Sequence, residues 1–214
     1  MLGSVRSFYK EVAVPNGYLK VVTGCMFAQK TLAILAQRSR YEAAGLNFVV
    51  TKPTDDRKNI LKIEARDGLE SDAHEFRDPG QFLRVIRGHS HVIIDEVQFL
   101  PPRFMQAIRE TIGHGVNILA AGLDNDFRGE PFGIMPLLLA EADEVQKLMA
   151  ICTVCKGPAM RTQRLVNYGA KHQPDLGPAP YDGPVIDKPE DGYIYQARCR
   201  EHHELGIGPS RSPD

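Results

Sequence analysis

Three groups of residues have the types and spacing to do chemistry. The first is TGCMFAQKT, residues 23–31. Gly24, Lys30 and Thr31 fill three of the four fixed positions of the pattern G-x-x-x-x-G-K-[ST]. In that pattern, backbone N–H groups at the start of a helix cradle phosphates, the lysine reaches the outer phosphates and the hydroxyl holds Mg²⁺. Gln29 stands where the pattern has its second glycine, and a side chain there crowds the phosphates or resists the backbone angles glycine allows. The stretch has three readings: a working nucleotide site, a weakened one, or coincidence. Its candidate phosphate-binding residues are Gly24, Cys25, Met26, Phe27, Ala28, Gln29, Lys30 and Thr31.

The second group is the Asp95–Glu96 pair closing HVIIDE. Four apolar or β-prone residues end in a carboxylate, which puts Asp95 at the carboxyl end of a strand, where ligands of open α/β sheets bind. Asp95 suits Mg²⁺, and Glu96 suits proton removal from an attacking hydroxyl, the remaining task of phosphoryl transfer. A solvated acidic turn is the competing reading.

The third group is Cys152-x-x-Cys155 with Cys199-x-x-His202. Three thiolates and an imidazole make a set suited to tetrahedral Zn²⁺, with no open position for catalysis. His203 competes with His202 for the fourth place, and spacing favours His202. Reduced structural cysteines are the alternative, but burial explains a Cys-x-x-Cys poorly in a polar, proline-rich setting.

These groups need elements to carry them. YLKVVT (18–23) reads as a strand running into the glycine loop, and Leu32, Leu35 and Ala36 recur at helical spacing up to a stop at Gly45. NFVV (47–50), HVIID (91–95) and NILAAG (117–122) are further strand candidates, with a helix marked by Phe104, Ala107, Ile108 and Ile112 between the last two. Strands alternating with helices predict an α/β fold, a parallel sheet covered on both faces. Beyond residue 150 the chain turns Gly-, Pro- and Asp-rich, a small loop-dominated unit short of apolar core. This divides the chain into residues 1–150, 151–205 and a disordered tail, 206–214.

With 214 residues, 43% hydrophobic and 25% charged, the chain has the proportions of a soluble globular protein. A net charge of −1 excludes broad electrostatic capture of nucleic acid. No secretory signal and no membrane-length apolar run are read, so a cytoplasmic location with reduced cysteines is expected.

GCMFAQKT, RYEAAG, DDR, IDEVQF, AGLDNDFRGEPFG, KLMAICTVC, TQRL and YQARCREHH, in this order, resemble the type II thymidine kinases over roughly Gly17 to His203. The resemblance implies a P-loop (RecA-like) parallel sheet flanked by helices, with a small C-terminal zinc-binding lasso domain. It implies transfer of phosphate from ATP, with Mg²⁺, to the 5′-hydroxyl of thymidine or deoxyuridine, in a homo-oligomer, commonly a tetramer. Carried over by position, Lys30 resembles the phosphate-binding lysine, Thr31 and Asp95 the Mg²⁺ residues and Glu96 the catalytic base. Asp55 and Arg57 match the residues near the phosphates, in a segment one residue shorter than usual. Met26, Phe99, Leu123, Phe127 and Phe132 correspond to the residues around the thymine ring. Thr162 and Tyr193, or Tyr195, fall in or near the lasso. The family's zinc is structural, matching Cys152, Cys155, Cys199 and His202.

Arg128 and Arg164 are further candidates for phosphate charge, Arg being shaped for bidentate contact. Two rival readings of the whole are a catalytically weakened or inactive P-loop nucleotide-binding protein, motivated by Gln29, and a zinc-ribbon nucleic-acid binder. The second lacks any interleaved basic and aromatic stretch to support it.

Overall fold

The computed structural model describes residues 17–54, 62–65, 68–169, 175–185 and 192–206. Asp55, Arg57, the first sixteen residues and the expected tail from 207 onward lie outside them.

Six strands form one sheet in the order β5-β2-β6-β7-β1-β8, every neighbouring pair parallel. They are β1 (Leu19–Thr23), β2 (Phe48–Pro53), β5 (His74–Phe76), β6 (His91–Ile94), β7 (Asn117–Gly122) and β8 (Glu144–Lys147), while β3 (Lys62–Glu64) and β4 (Glu70–Asp72) make a separate antiparallel pair. The central strands are continuously apolar because both faces are covered. Their side chains alternate between two cores as the pleat requires. Leu19, Val21, Val92, Ile94, Ile118 and Ala120 pack with α2 (Pro79–Ile86), α3 (Phe104–Gly113) and α4 (Met135–Glu141), contributing Phe82, Phe104, Ile108, Met135 and Leu138. Val22, Ile93, Leu119 and Ala121 pack with Ile34 and Leu35 of α1 (Lys30–Ala43).

Local chemistry sets the helix starts. Asp78 caps α2, accepting from the Gln81 backbone N–H at 2.8 Å, with Pro79 in the first turn, where its missing N–H costs nothing. Phe82 and Ile86, four apart, then face the core together.

All six strands being parallel, the segments after β1, β6 and β7 emerge at the same edge, and β7 lies between the glycine-loop strand and the strand ending in Asp95.

Past residue 150 the chain is more ordered than its composition implies. A two-stranded ladder, β9 (Ala150–Ile151) with β10 (Pro158–Ala159), precedes a three-stranded antiparallel sheet of β12 (Leu176–Pro178), β11 (Arg161–Asn167) and β13 (Ile194–Arg198). Its apolar core is indeed small, as expected: Ala150, Cys152, Ala159 and Ala197, packed against Cys25 and Ala28 of the glycine loop. No helix among the described residues is long and apolar enough to cross a membrane.

Candidate active site

The loop between β1 and α1 is held by close approach. Gly24 has φ 150°, and a Cβ there would lie 2.4 Å from the Leu148 carbonyl oxygen, so no other residue fits. Gln29, at the N-cap of α1, takes the left-handed conformation (φ 62°, ψ 33°) and points its side chain into solvent. The backbone thus keeps the shape a glycine would give it, at a cost of about 1–2 kcal/mol for an L-residue. Phe27 (φ 70°) and Glu96 (φ 56°) are also left-handed, so three of the four non-glycine residues with positive φ among the described residues lie in these two segments. Backbone strain of this kind collects at functional sites.

Lys30 turns its ammonium back to the Cys25 carbonyl oxygen at 3.0 Å. Burial pushes its pKa down, partly opposed by the charges of Glu96 and Asp95. Thr31 Oγ1 lies 3.4 Å from Asp95 Oδ2. That contact crosses the end of β7, which closes with the small residues Ala120, Ala121 and Gly122. Asp95 is 4% exposed, its Oδ1 accepting from the Glu96 backbone N–H at 2.9 Å. Burial first, and the Glu96 charge second, raise its pKa from 3.8 to about 7. A buried carboxylate that resists ionising, facing a hydroxyl and a lysine, fits a site completed by a cation and an anion together. Glu96 is exposed, and the buried amide of Gln98 donates to its Oε2.

The residues expected around a base form linked pairs. Phe99 meets Phe132 edge to face, centroids 5.6 Å apart. The Met26 backbone N–H donates to Thr162 Oγ1 at 3.0 Å, tying the glycine loop to β11. Leu123 N–H donates to Gln98 Oε1 at 3.1 Å. Phe127 and Tyr193 both lie against Arg164, whose guanidinium carbon is 3.3 Å and 4.4 Å from the two ring centroids. Arg164 is fully buried, donates to the Pro184 carbonyl, and its Nε and Nη2 have no hydrogen-bond partner among the described residues. Its charge is held by aromatic faces. Arg128 is engaged elsewhere: Asp126 Oδ2 accepts from its Nε at 2.8 Å and its Nη2 at 2.6 Å.

Cys152, Cys155, Cys199 and His202 converge, their ligand atoms all within 4.8 Å of one another. The Cys155 and Cys199 sulfurs are 3.8 Å apart, the edge of a tetrahedron with Zn–S bonds of about 2.3 Å. Burial alone pushes the Cys152 thiol up, but donation from the backbone N–H groups of Cys155, Cys199 and Val154 brings it down to about 6, which favours a thiolate ligand. His203 is outside the group, its Nε2 lying 2.8 Å from the Phe127 carbonyl oxygen.

Comparison with known families matches residues 17–203 to the family described as thymidine kinase. This chain belongs to the thymidine kinase family. It is 40% identical over 196 residues to a thymidine kinase of Coprothermobacter proteolyticus, covering 91% of this chain and 94% of that one. It is 37% identical to one of Thermococcus kodakarensis, over 88% and 95%, and 36% identical to one of Mycoplasma genitalium, over 89% and 84%. Among solved structures, the genome packaging NTPase B204 of Sulfolobus turreted icosahedral virus 2 gives a TM-score of 0.40 at 13% identity, over 65% of this chain and 76% of that one, too distant to bear on the site.

Membership of the thymidine kinase family does not by itself point to three residues that the geometry adds. Asp124, 7% exposed at the carboxyl end of β7, pairs with Lys147 of β8 at 2.7 Å. The rule that singled out Asp95, a carboxylate just past an apolar strand, applies equally to Asp124. Gln98, 2% exposed, carried no signal, since an isolated glutamine has no pattern.

Proposed function

We propose that this protein transfers the γ-phosphoryl group of ATP to the 5′-hydroxyl of thymidine or deoxyuridine, giving the nucleoside monophosphate for pyrimidine deoxynucleotide salvage. The observation that carries the reading is the meeting of Thr31 and Asp95 at 3.4 Å beside the half-buried Lys30 ammonium, with Glu96 exposed at the next position. This supports one reaction centre rather than two unrelated motifs.

Residues 24–31 hold the triphosphate, the loop N–H groups and Lys30 receiving its charge. Thr31 and Asp95 are the residues that would hold Mg²⁺, which supplies charge neutralisation on the phosphates. Glu96 takes the proton of the 5′-hydroxyl as that oxygen forms its bond to the γ-phosphorus. The bond from the γ-phosphorus to the bridging oxygen breaks, and ADP leaves with the electron pair. Met26, Phe99, Leu123, Phe127, Phe132, Thr162 and Tyr193 form the base site, flat rings excluding water from a flat ligand. Asp55 and Arg57 act near the phosphates. Cys152, Cys155, Cys199 and His202 hold a structural Zn²⁺ that ties residues 151–205 together as a lasso beside the kinase unit of residues 1–150. The working protein is a cytoplasmic homo-oligomer that binds neither nucleic acid nor membrane.

The direct test is formation of the monophosphate from Mg·ATP and thymidine. Glu96→Gln lowers kcat by roughly 10²- to 10⁴-fold while ATP binding survives; a fully active variant removes Glu96 as the base. A second reading, a nucleotide-binding protein without turnover, is favoured by one observation, the strained Gln29 in place of glycine. ATP binding by calorimetry with no monophosphate formed would select it.

A further inference from the structure

Glu96 is poorly placed to act alone. It is exposed and sits in left-handed backbone at the start of a single 3₁₀ turn (Val97–Phe99), so its carboxylate is not held by packing. Gln98, two residues on, is almost fully buried. Its amide bridges the two environments. Nε2 donates to Glu96 Oε2, and Oε1 accepts the Leu123 backbone N–H at 3.1 Å.

The second bond fixes the sense of the first. A backbone N–H can only donate, so the oxygen of the amide must face Leu123 and the NH₂ must face Glu96. A side chain at Gly122 would crowd this arrangement, because a Cβ there would lie 2.5 Å from Gln98 Oε1. Gly122 ends β7, between β1 and β6, and Leu123 follows it directly. The amide therefore anchors an exposed carboxylate to the central sheet.

We propose that Gln98 is a positioning residue for Glu96. It holds Oε2 by a charge-assisted hydrogen bond and leaves Oε1 to meet the acceptor hydroxyl. The proposal rests on the kinase reading given above, in which Glu96 is the base. Gln98 touches neither the reacting atoms nor the nucleotide; it removes the carboxylate's freedom, which is where small misplacements are costly to rate.

The test compares Gln98→Met and Gln98→Glu, each alone and in the Glu96→Gln background, by steady-state kinetics, thermal melting and ATP calorimetry. Gln98→Met keeps the volume and removes the donor. Gln98→Glu keeps the acceptor for Leu123 N–H and sets a like charge against Glu96. Both lower kcat by roughly 10- to 100-fold. The KM values for thymidine and ATP stay within about twofold, since uniform binding is untouched. In the Glu96→Gln background neither has a further effect on kcat, because the group they position is gone. A merely structural Gln98 would instead raise both KM values, or give effects that multiply with Glu96→Gln, and either result overturns the proposal. Should Gln98→Met fail to melt cooperatively, Gln98→Glu decides alone, a kcat within about twofold of wild type overturning it. If Glu96→Gln is inactive while Gln98→Glu turns over normally, only this inference falls; if Glu96→Gln is itself active, the reading beneath it falls.

Discussion

At the scale of single residues, Gln29 shows how a motif survives the loss of one of its letters. The missing glycine would have supplied a backbone angle, and Gln29 adopts that angle while its side chain stays in solvent. Gln29→Gly relieves about 1–2 kcal/mol of left-handed strain, less the roughly 0.5–1 kcal/mol of extra chain entropy glycine loses on folding. The net stabilisation is therefore small, and kinetics should show KM for ATP falling more than KM for thymidine. Asp95 makes the opposite trade. Its folded pKa, about 7, stands above the ordinary 3.8. Between those values the folded state binds more protons than the unfolded one, so its stabilising contribution is full below about pH 4 and gone above about pH 7. In the ligand-free protein Asp95→Asn removes that decline and raises the melting temperature at pH 8, while abolishing turnover; melts across pH check both. Most of the candidate site residues that meet in the structure, Lys30, Thr31 and Asp95, were legible because each is a charged or hydroxyl side chain at a fixed offset from a strand end. Gln98 and the anchoring of Arg128 were not, because both depend on partners distant in the chain or on loop geometry.

At the scale of elements, β1, β6, β7 and α1 could be read almost residue by residue, since strands covered on both faces are uniformly apolar and glycine loops punctuate the helix. The edge strand β8 could not: all four of its residues are exposed and three are polar or charged, so no periodicity marks it. Nor could β11, whose buried Thr162, Gln163 and Arg164 break the rule that interiors are apolar. That strand is nevertheless tied to the glycine loop, through the Thr162 hydroxyl on the Met26 N–H. Thr162→Val removes the acceptor at nearly constant volume and leaves that amide unpaired at a cost of about 1–3 kcal/mol. The expected result is a raised KM for ATP together with that for thymidine, read from initial rates.

At the scale of the whole molecule, the glycine loop and the cysteine cluster share one small core, Cys25 and Ala28 lying with Cys152, Ala159 and Ala197. Cys155→Ser should release zinc, by elemental analysis, and loosen the C-terminal unit. Hydrogen exchange should then rise in β11, β13 and residues 24–29, while β1, β6 and β7, inside the large cores, stay protected. Unchanged zinc content would refute the ligand assignment.

The placement of β1 inside the sheet has a consequence for biosynthesis. Its neighbours on either side, β7 and β8, come late: the Thr23 hydroxyl bonds the carbonyl of Gly122, 99 residues downstream. At about 5–20 residues per second the nascent chain leaves the ribosome with β1 unpaired for on the order of 5–20 s. Through that interval Leu19, Val21 and Val22, all buried in the folded protein, lack the strands that flank them, the kind of transient apolar exposure that invites aggregation.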